Sequence, residues 1–198
     1  MESYQIVNLS ASKAGKAVFS NINLSLSEST ITGIYGRRDA GKTVLLNTLY
    51  KPEGRNGLQP FSAKLVDTGY LLIDKNAMAN MRILTRNHDS LSDEDILWYL
   101  EKVGISVADT RLVKDYKKSE KVLLALAIII SENPKIIMFD EPFNIFEQME
   151  IIRFNELLTS LKQMNFSILL TSRNLSLIQP ICEKIYHLEH GTLIEMKK

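Results

Sequence analysis

The segment 33–46, GIYGRRDAGKTVLL, constrains this chain more than any other. From Gly36 to Thr43 it spells Gly-x-x-x-x-Gly-Lys-Thr, with Arg37, Arg38, Asp39 and Ala40 as the variable middle. Its surroundings matter as much as its letters. Thr30 to Tyr35 is a β-rich run, and Thr43 to Leu49 has helical composition. Strand, glycine-rich loop, helix is the context in which the pattern becomes a physical anion site. Backbone N–H groups and a helix N-terminus then converge on one point. Gly36 and Gly41 permit close backbone approach, Lys42 is placed for the β- and γ-phosphates of a nucleotide, and the Thr43 hydroxyl for Mg²⁺.

A second constraint lies a hundred residues on. Lys135-Ile136-Ile137-Met138-Phe139 reads as a strand buried on both faces of a parallel sheet, and it ends in Asp140-Glu141-Pro142. Asp140, at the strand end, is placed to hold the metal through water. Glu141, one residue further, points differently and is the candidate to polarise an attacking water.

Around these two points the chain alternates. Asn21 to Ser27 has the strict apolar–polar period of a strand with one dry face. Ser92-Asp93-Glu94-Asp95 predicts a capped helix that carries Ile96, Leu97, Leu100 and Val103 and stops at Gly104. Further helices are expected at about 118–132 and 146–164. Strands are expected at Phe166 to Thr171, Lys184 to Leu188 and Thr192 to Glu195. The pattern is that of an α/β domain, helices on a largely parallel sheet. No linker divides it: 1–198 reads as a single domain with a small helical insertion at about 75–118.

Composition excludes several classes. The net charge of +1, with neither a basic face nor heptad arms, predicts no nucleic-acid partner. A single cysteine, Cys182, excludes an internal disulfide and fits a reducing compartment. The start, MESYQIVNLS, lacks the pattern of a secretory signal. The longest apolar run, Val122 to Ile130, reads as core and falls short of the ~20 residues of a spanning helix. Any membrane role is therefore expected to come through a partner, with Met78, Met81, Ile83, Leu97 and Trp98 as a candidate partner surface. His88 reads as a solvated loop residue. His187 and His190, an odd spacing apart on a strand, are expected on opposite faces. A GTPase reading fails for want of an Asn-Lys-x-Asp segment and a correctly spaced Asp-x-x-Gly. A nucleoside kinase has no need of Glu141.

Taken in order, these motifs resemble the ATP-binding subunit of ABC transporters over essentially the whole chain. ITGIYGRRDAGKTVLLNTL looks like that family's Walker A, and GYLLID occupies the Q-loop. VKDYKKSEKVLLALAIIISENPKIIMFDEP covers the signature helix and Walker B, and SILLTSRNLSLIQPICEKIYHLEHGTLIE the switch strand and terminal hairpin. Val-Lys-x-Tyr before the signature helix is most similar to the branch that exports peptides or antibiotics. The resemblance implies a P-loop fold with an N-terminal antiparallel β part, and ATP and Mg²⁺ as cofactors. It implies a homodimer or heterodimer with another ABC ATPase subunit, and a separate membrane-spanning permease. It also implies a cytoplasmic protein, peripheral on the inner face of the cell membrane. Gly36 to Thr43 and Arg173 would bind ATP, Thr43 and Asp140 the metal, and Lys42 and Glu141 would carry the chemistry.

The sequence departs from that family at several places. The signature reads Tyr116-Lys117-Lys118-Ser119-Glu120, without glycine; Ile73 stands at the Q-loop glutamine, Arg173 at the switch histidine and Glu147 at the D-loop aspartate. The adenine-stacking aromatic aligns near Lys13, with Tyr4 or Phe19 as substitutes. Two accounts stay open. One is a transport ATPase with Glu141 as base and Arg173 or Lys117 on the γ-phosphate. The other is an ATP-binding regulatory subunit, weakly hydrolysing or not at all, paired with another ATPase.

Overall fold

A computed structural model describes residues 3–50, 62–85 and 91–197; His88 lies outside them. The chain divides into two compact units, Met1–Leu65 with Lys135–Lys198, and Val66–Pro134.

The first unit begins with a long hairpin, β1 (Ser3–Lys13) against β2 (Lys16–Ser27), paired antiparallel. Its register shifts between Ile6 and Leu9 and again on either side of Ala11. Asn8 and Asn21 take left-handed φ of 56° and 52°, a conformation asparagine tolerates better than most residues. The expected alternation holds: Ile22, Leu24 and Leu26 are buried while their neighbours face outward.

Among the described residues the main sheet has six strands. In chain order these are β3 (Ile31–Tyr35), β4 (Ala63–Leu65), β5 (Ile136–Phe139), β6 (Ser167–Ser172), β7 (Lys184–Glu189) and β8 (Thr192–Glu195). In space they run β4-β5-β6-β3-β7-β8, parallel except for β8 against β7. β5 and β6 are buried along their whole length, as their unbroken apolar runs require in a sheet covered on both faces. Among the described residues three helices belong to this unit: α1 (Lys42–Tyr50), α5 (Gln148–Gln163) and α6 (Leu175–Ile178). Leu45, Leu46 and Leu49 of α1 pack into one core with Ile34, Met138, Leu169 and the hairpin residues Ile6, Phe19 and Leu24. α5 starts two residues later than its composition predicts, because Pro142–Asn144 forms a 3-10 turn and the Glu147 N–H donates to Glu150 at 2.9 Å. β7 ends at Glu189, so His190 sits in the turn to β8 at φ 48° rather than on a strand face.

Register decides what stands together. Tyr35 pairs with Ser172 and Phe139 with Leu170, all in parallel strands. The loop after β3, Asp140 after β5, and Thr171 at the end of β6 therefore emerge at the same carboxyl edge of the sheet, where open α/β folds place their ligands.

The second unit is helical: α2 (Ala77–Leu84), α3 (Asp93–Lys102) and α4 (Lys118–Ser131). Ser92 caps α3 through Asp95, and α3 ends at Lys102, two residues before Gly104, where φ reaches 82°. α4 is buried from Leu124 to Ile130, the core helix its all-round apolar surface predicts. The candidate partner surface divides. Met81 is fully buried, Met78 and Leu97 are partly so, and Ile83 and Trp98 are exposed. Among the described residues no helix is long and apolar enough to cross a membrane.

Candidate functional site

A cleft of about 690 Å³ opens at the carboxyl edge of the main sheet, and the loop 36–43 forms one wall of it. Two glycines make that loop possible. A Cβ on Gly36 would stand 2.6 Å from the Leu188 carbonyl oxygen, and Gly41 adopts φ of 102° with Val18 2.7 Å from where a Cβ would be. Any side chain at either point would push the loop off β7 and β2. Asp39 also turns left-handed, at φ 62°. The chain then enters α1, whose first N–H groups have no carbonyl within the helix to bond and face the cleft end of the loop.

Lys42 is 4% exposed and fully engaged. Its Nζ donates to the carbonyls of Gly36 and Arg37 at 2.8 Å each and lies 3.1 Å from Glu141 Oε1. Thr43 Oγ1 donates to Asp140 Oδ2 at 2.6 Å. The other oxygen of Asp140 accepts from Thr171 Oγ1 at 2.7 Å, and Thr171 Oγ1 in turn accepts from the Glu141 N–H at 2.9 Å. Thr171 is wholly buried and fixes both acids at once. Its signal was present in SILLTS, a hydroxyl closing an otherwise apolar strand, but only the β5–β6 register shows which residues it meets.

Glu141 sits in the left-handed region, φ 47° and ψ 50°, which costs a non-glycine residue about 1 kcal/mol or more and is characteristic of functional turns. Oε2 accepts from Asn144 Nδ2 and Arg173 Nε, each at 2.5 Å. Partial burial pushes its carboxyl pKa up; the hydrogen bonds from Lys42, Asn144 and Arg173 outweigh this and hold it below the usual carboxylate range. Asn144 is the second residue that sequence reading assigned no role here.

Of the predicted nucleotide residues, Arg38, Asp39, Gly41, Lys42, Thr43 and Arg173 line the cleft. Gly36 and Arg37 act from behind it, as acceptors for Lys42. Ala40 holds the loop, its N–H donating to Arg37 O at 3.3 Å. Lys13 and Val18, from the hairpin, complete the far wall. The proposed aromatic substitutes are elsewhere: Phe19 is core at 2% exposure, and the Tyr4 hydroxyl donates to Glu28. An apolar stem and a branched aliphatic take their place at the cleft.

The residues fit a magnesium nucleotide. A cradle that a Cβ would fill, an ammonium at its base, and a hydroxyl and carboxylate oxygen 2.6 Å apart form a donor set suited to phosphate and a hard cation.

The signature segment belongs to the second unit and is built differently. Tyr116 and Ser119 are buried, while Lys117 and Lys118 are exposed. Glu120 folds back onto the start of α4, accepting from the Lys117 N–H at 2.6 Å. Arg111 donates to Glu120 at 2.6 Å and to Asp109 at 2.7 Å, and its guanidinium lies 4.9 Å from the Tyr116 ring centre. Ile73 is 58% exposed, its carbonyl accepting from the Lys114 N–H at 2.8 Å.

Comparison with known proteins settles the class. The family described as ABC transporter matches residues 19–144, from the hairpin through both phosphate-site motifs to Asn144. The chain belongs to the ABC transporter family. It is an ATP-binding subunit, of a family of ATP-hydrolysing transport ATPases. YybJ of Bacillus subtilis, an uncharacterised ABC transporter ATP-binding protein, is 27% identical across 98% of this chain and 96% of its own length. SrtF of Streptococcus pyogenes, a lantibiotic transport ATP-binding protein, is 26% identical across 98% of the chain and 90% of its own. Among solved structures, a dimeric ATP-binding cassette in a post-hydrolysis state with ADP and Pi superposes with a TM-score of 0.79. It covers 99% of this chain and 98% of its own, at 17% identity. The cassette fold agrees with the resemblance read from the motifs.

Proposed function

We propose that this cassette hydrolyses ATP to power export of a peptide or antibiotic-like substrate through a separate membrane-spanning permease. In this reading 1–198 is one ATP-binding domain with a helical insertion at about 75–118. It works as one of two ATPase subunits, identical or different, held by the permease at the inner face of the cell membrane. The observation that carries the proposal is the pairing of Glu141 with Lys42 on the same cleft that Thr43 and Asp140 line. Export is supported by the full-length likeness to SrtF and by Val113-Lys114-Asp115-Tyr116 ahead of α4.

The residues divide the work. The loop 36–43 and the start of α1 bind phosphate oxygens, and Lys42 supplies the fixed positive charge. Thr43 and Asp140 would hold Mg²⁺, which when bound neutralises charge developing on the transferred phosphoryl group. Thr171 keeps Asp140 and the Glu141 backbone in register. Glu141 orients the attacking water and takes its proton. Arg173, hydrogen-bonded to Glu141, is a phosphate contact.

A second reading has its own support: Glu141 is engaged by three donors, and Glu120 caps the helix of the signature segment. There ATP stabilises an assembly without turnover. The two separate by mutation in the complex with the permease. Under the first, Glu141→Gln abolishes hydrolysis while ATP binding persists; under the second, Glu141→Gln is silent and Lys42→Ala disrupts assembly.

A further inference from the structure

The turn that carries Glu141 is held from two sides. Phe139, Phe143 and Phe146, before and after the acid, all pack on Phe154 of α5, with ring centres 5.5, 5.9 and 4.3 Å away. Phe143 and Phe146 are buried, and the 3-10 turn Pro142–Asn144 leaves Asn144 between them exposed, on the lining of the cleft. From there Asn144 takes Glu141 at two points. Its backbone N–H donates to the Glu141 carbonyl at 3.1 Å, and its Nδ2 donates to Oε2 at 2.5 Å.

What an amide does there follows from the other donors. Lys42 Nζ lies 3.1 Å from Oε1, and Arg173 Nε donates to Oε2. Both are cations, for which a phosphate in the cleft competes with the carboxylate. Asn144 is neutral, so a phosphate offers it no such exchange, and it is the donor that stays with Glu141. A glutamate side chain has several rotatable bonds, and leaving it unheld spreads its carboxylate over many rotamers. Pinning Oε2 at the turn leaves Oε1 directed to the side of Lys42 and loop 36–43. We propose that Asn144 is a positioning residue for hydrolysis: its side-chain amide fixes the Glu141 carboxylate by Oε2, so that Oε1 is presented to the attacking water. This rests on the ATPase reading above and adds to it the group that aims its base.

The test separates aim from affinity, with turnover measured in the complex with the permease. Asn144→Ala should lower kcat about tenfold, while KM for ATP and equilibrium ATP binding to the full chain stay within about twofold. Asn144→Asp keeps the shape without the neutral donor and should lose at least as much. In the Glu141→Gln background Asn144→Ala should cost nothing further, since the group it aims is gone. A readout apart from turnover is the Asn144 side-chain amide in a nitrogen–proton correlation spectrum of the full chain. One of its protons should stand downfield without nucleotide, remain there with Mg²⁺ and ADP, and return to the ordinary amide position in Glu141→Ala. Three results each overturn the proposal: wild-type turnover in Asn144→Ala, a KM that rises as much as kcat falls, or an amide that moves to the ordinary position when ADP is added. Turnover that survives Glu141→Gln overturns the ATPase reading together with this one; turnover lost in Glu141→Gln and kept in Asn144→Ala overturns this one alone.

Discussion

The cleft at the sheet edge and the start of α4 are both clusters of opposite charge, yet they are built to opposite ends. At the cleft, the acids are held from behind: Thr171 fixes Asp140 and the Glu141 backbone, while Lys42, Arg38 and Arg173 line the open side. At α4, the charges are spent on one another. Arg111 takes Asp109 and Glu120, and Glu120 takes the helix's leading N–H. A helix N-terminus attracts anions, and here the chain supplies its own. The contrast teaches that a cluster's capacity for a ligand depends on whether its paired charges also line an open cleft, as those at the sheet edge do, more than on how many charges it contains.

The largest effect should come from Lys42→Ala. It removes the ammonium that stands on two loop carbonyls and Glu141, and isothermal titration should show ATP affinity falling about a hundredfold. An unchanged affinity would place the phosphate site elsewhere and dissolve the contrast between the two clusters. Next, Thr171→Val keeps the shape of a buried side chain and deletes both of its hydrogen bonds. Mg²⁺ dependence of nucleotide binding should weaken about tenfold, the usual size for a group that orients a metal ligand.

Gly33→Ala tests packing behind the loop. The new methyl would meet Cys182 Sγ and Ile178 Cδ1 at 2.9 Å, and chemical denaturation should show a loss of about 1–3 kcal/mol. The smallest effect belongs to the α4 cluster. The hydrogen bond from Arg111 holds Asp109 low; for Glu120, burial pushes up but Arg111 and the Lys117 N–H outweigh it. Both carboxyls thus lie below their unfolded values, so their contribution is full above the ordinary carboxyl range and is lost as pH falls through the folded values. Arg111→Gln should lower the unfolding midpoint by about 2 °C near neutrality, and that gap should close below about pH 4. A gap that persists in acid would mean that Arg111 acts by packing on Tyr116 instead.

Much of this was legible in order along the chain, because it depends on local chemistry. The period-two run at Asn21–Ser27, the capping box at Ser92, the glycine stop at Gly104 and the apolar strand before Asp140 each carry their own signal within a few residues. What the sequence hid depends on register and on side-chain choice among distant partners. Thr171 is thirty-one residues from the acid it bonds and looks like one more β-branched strand residue. The Arg173–Glu141 pair joins positions thirty-two apart. Tyr4 and Phe19 were plausible base contacts by composition, but the hairpin turns Phe19 into the core and leaves Lys13 and Val18 at the cleft.

The central claim is that Glu141 carries hydrolysis at a cleft this chain builds itself. It is tested most directly by ATP turnover of the complex with its permease, alongside equilibrium ATP binding, for the wild type and Glu141→Gln. The account predicts that turnover falls at least about a hundredfold while binding persists. Undiminished turnover in Glu141→Gln would contradict it.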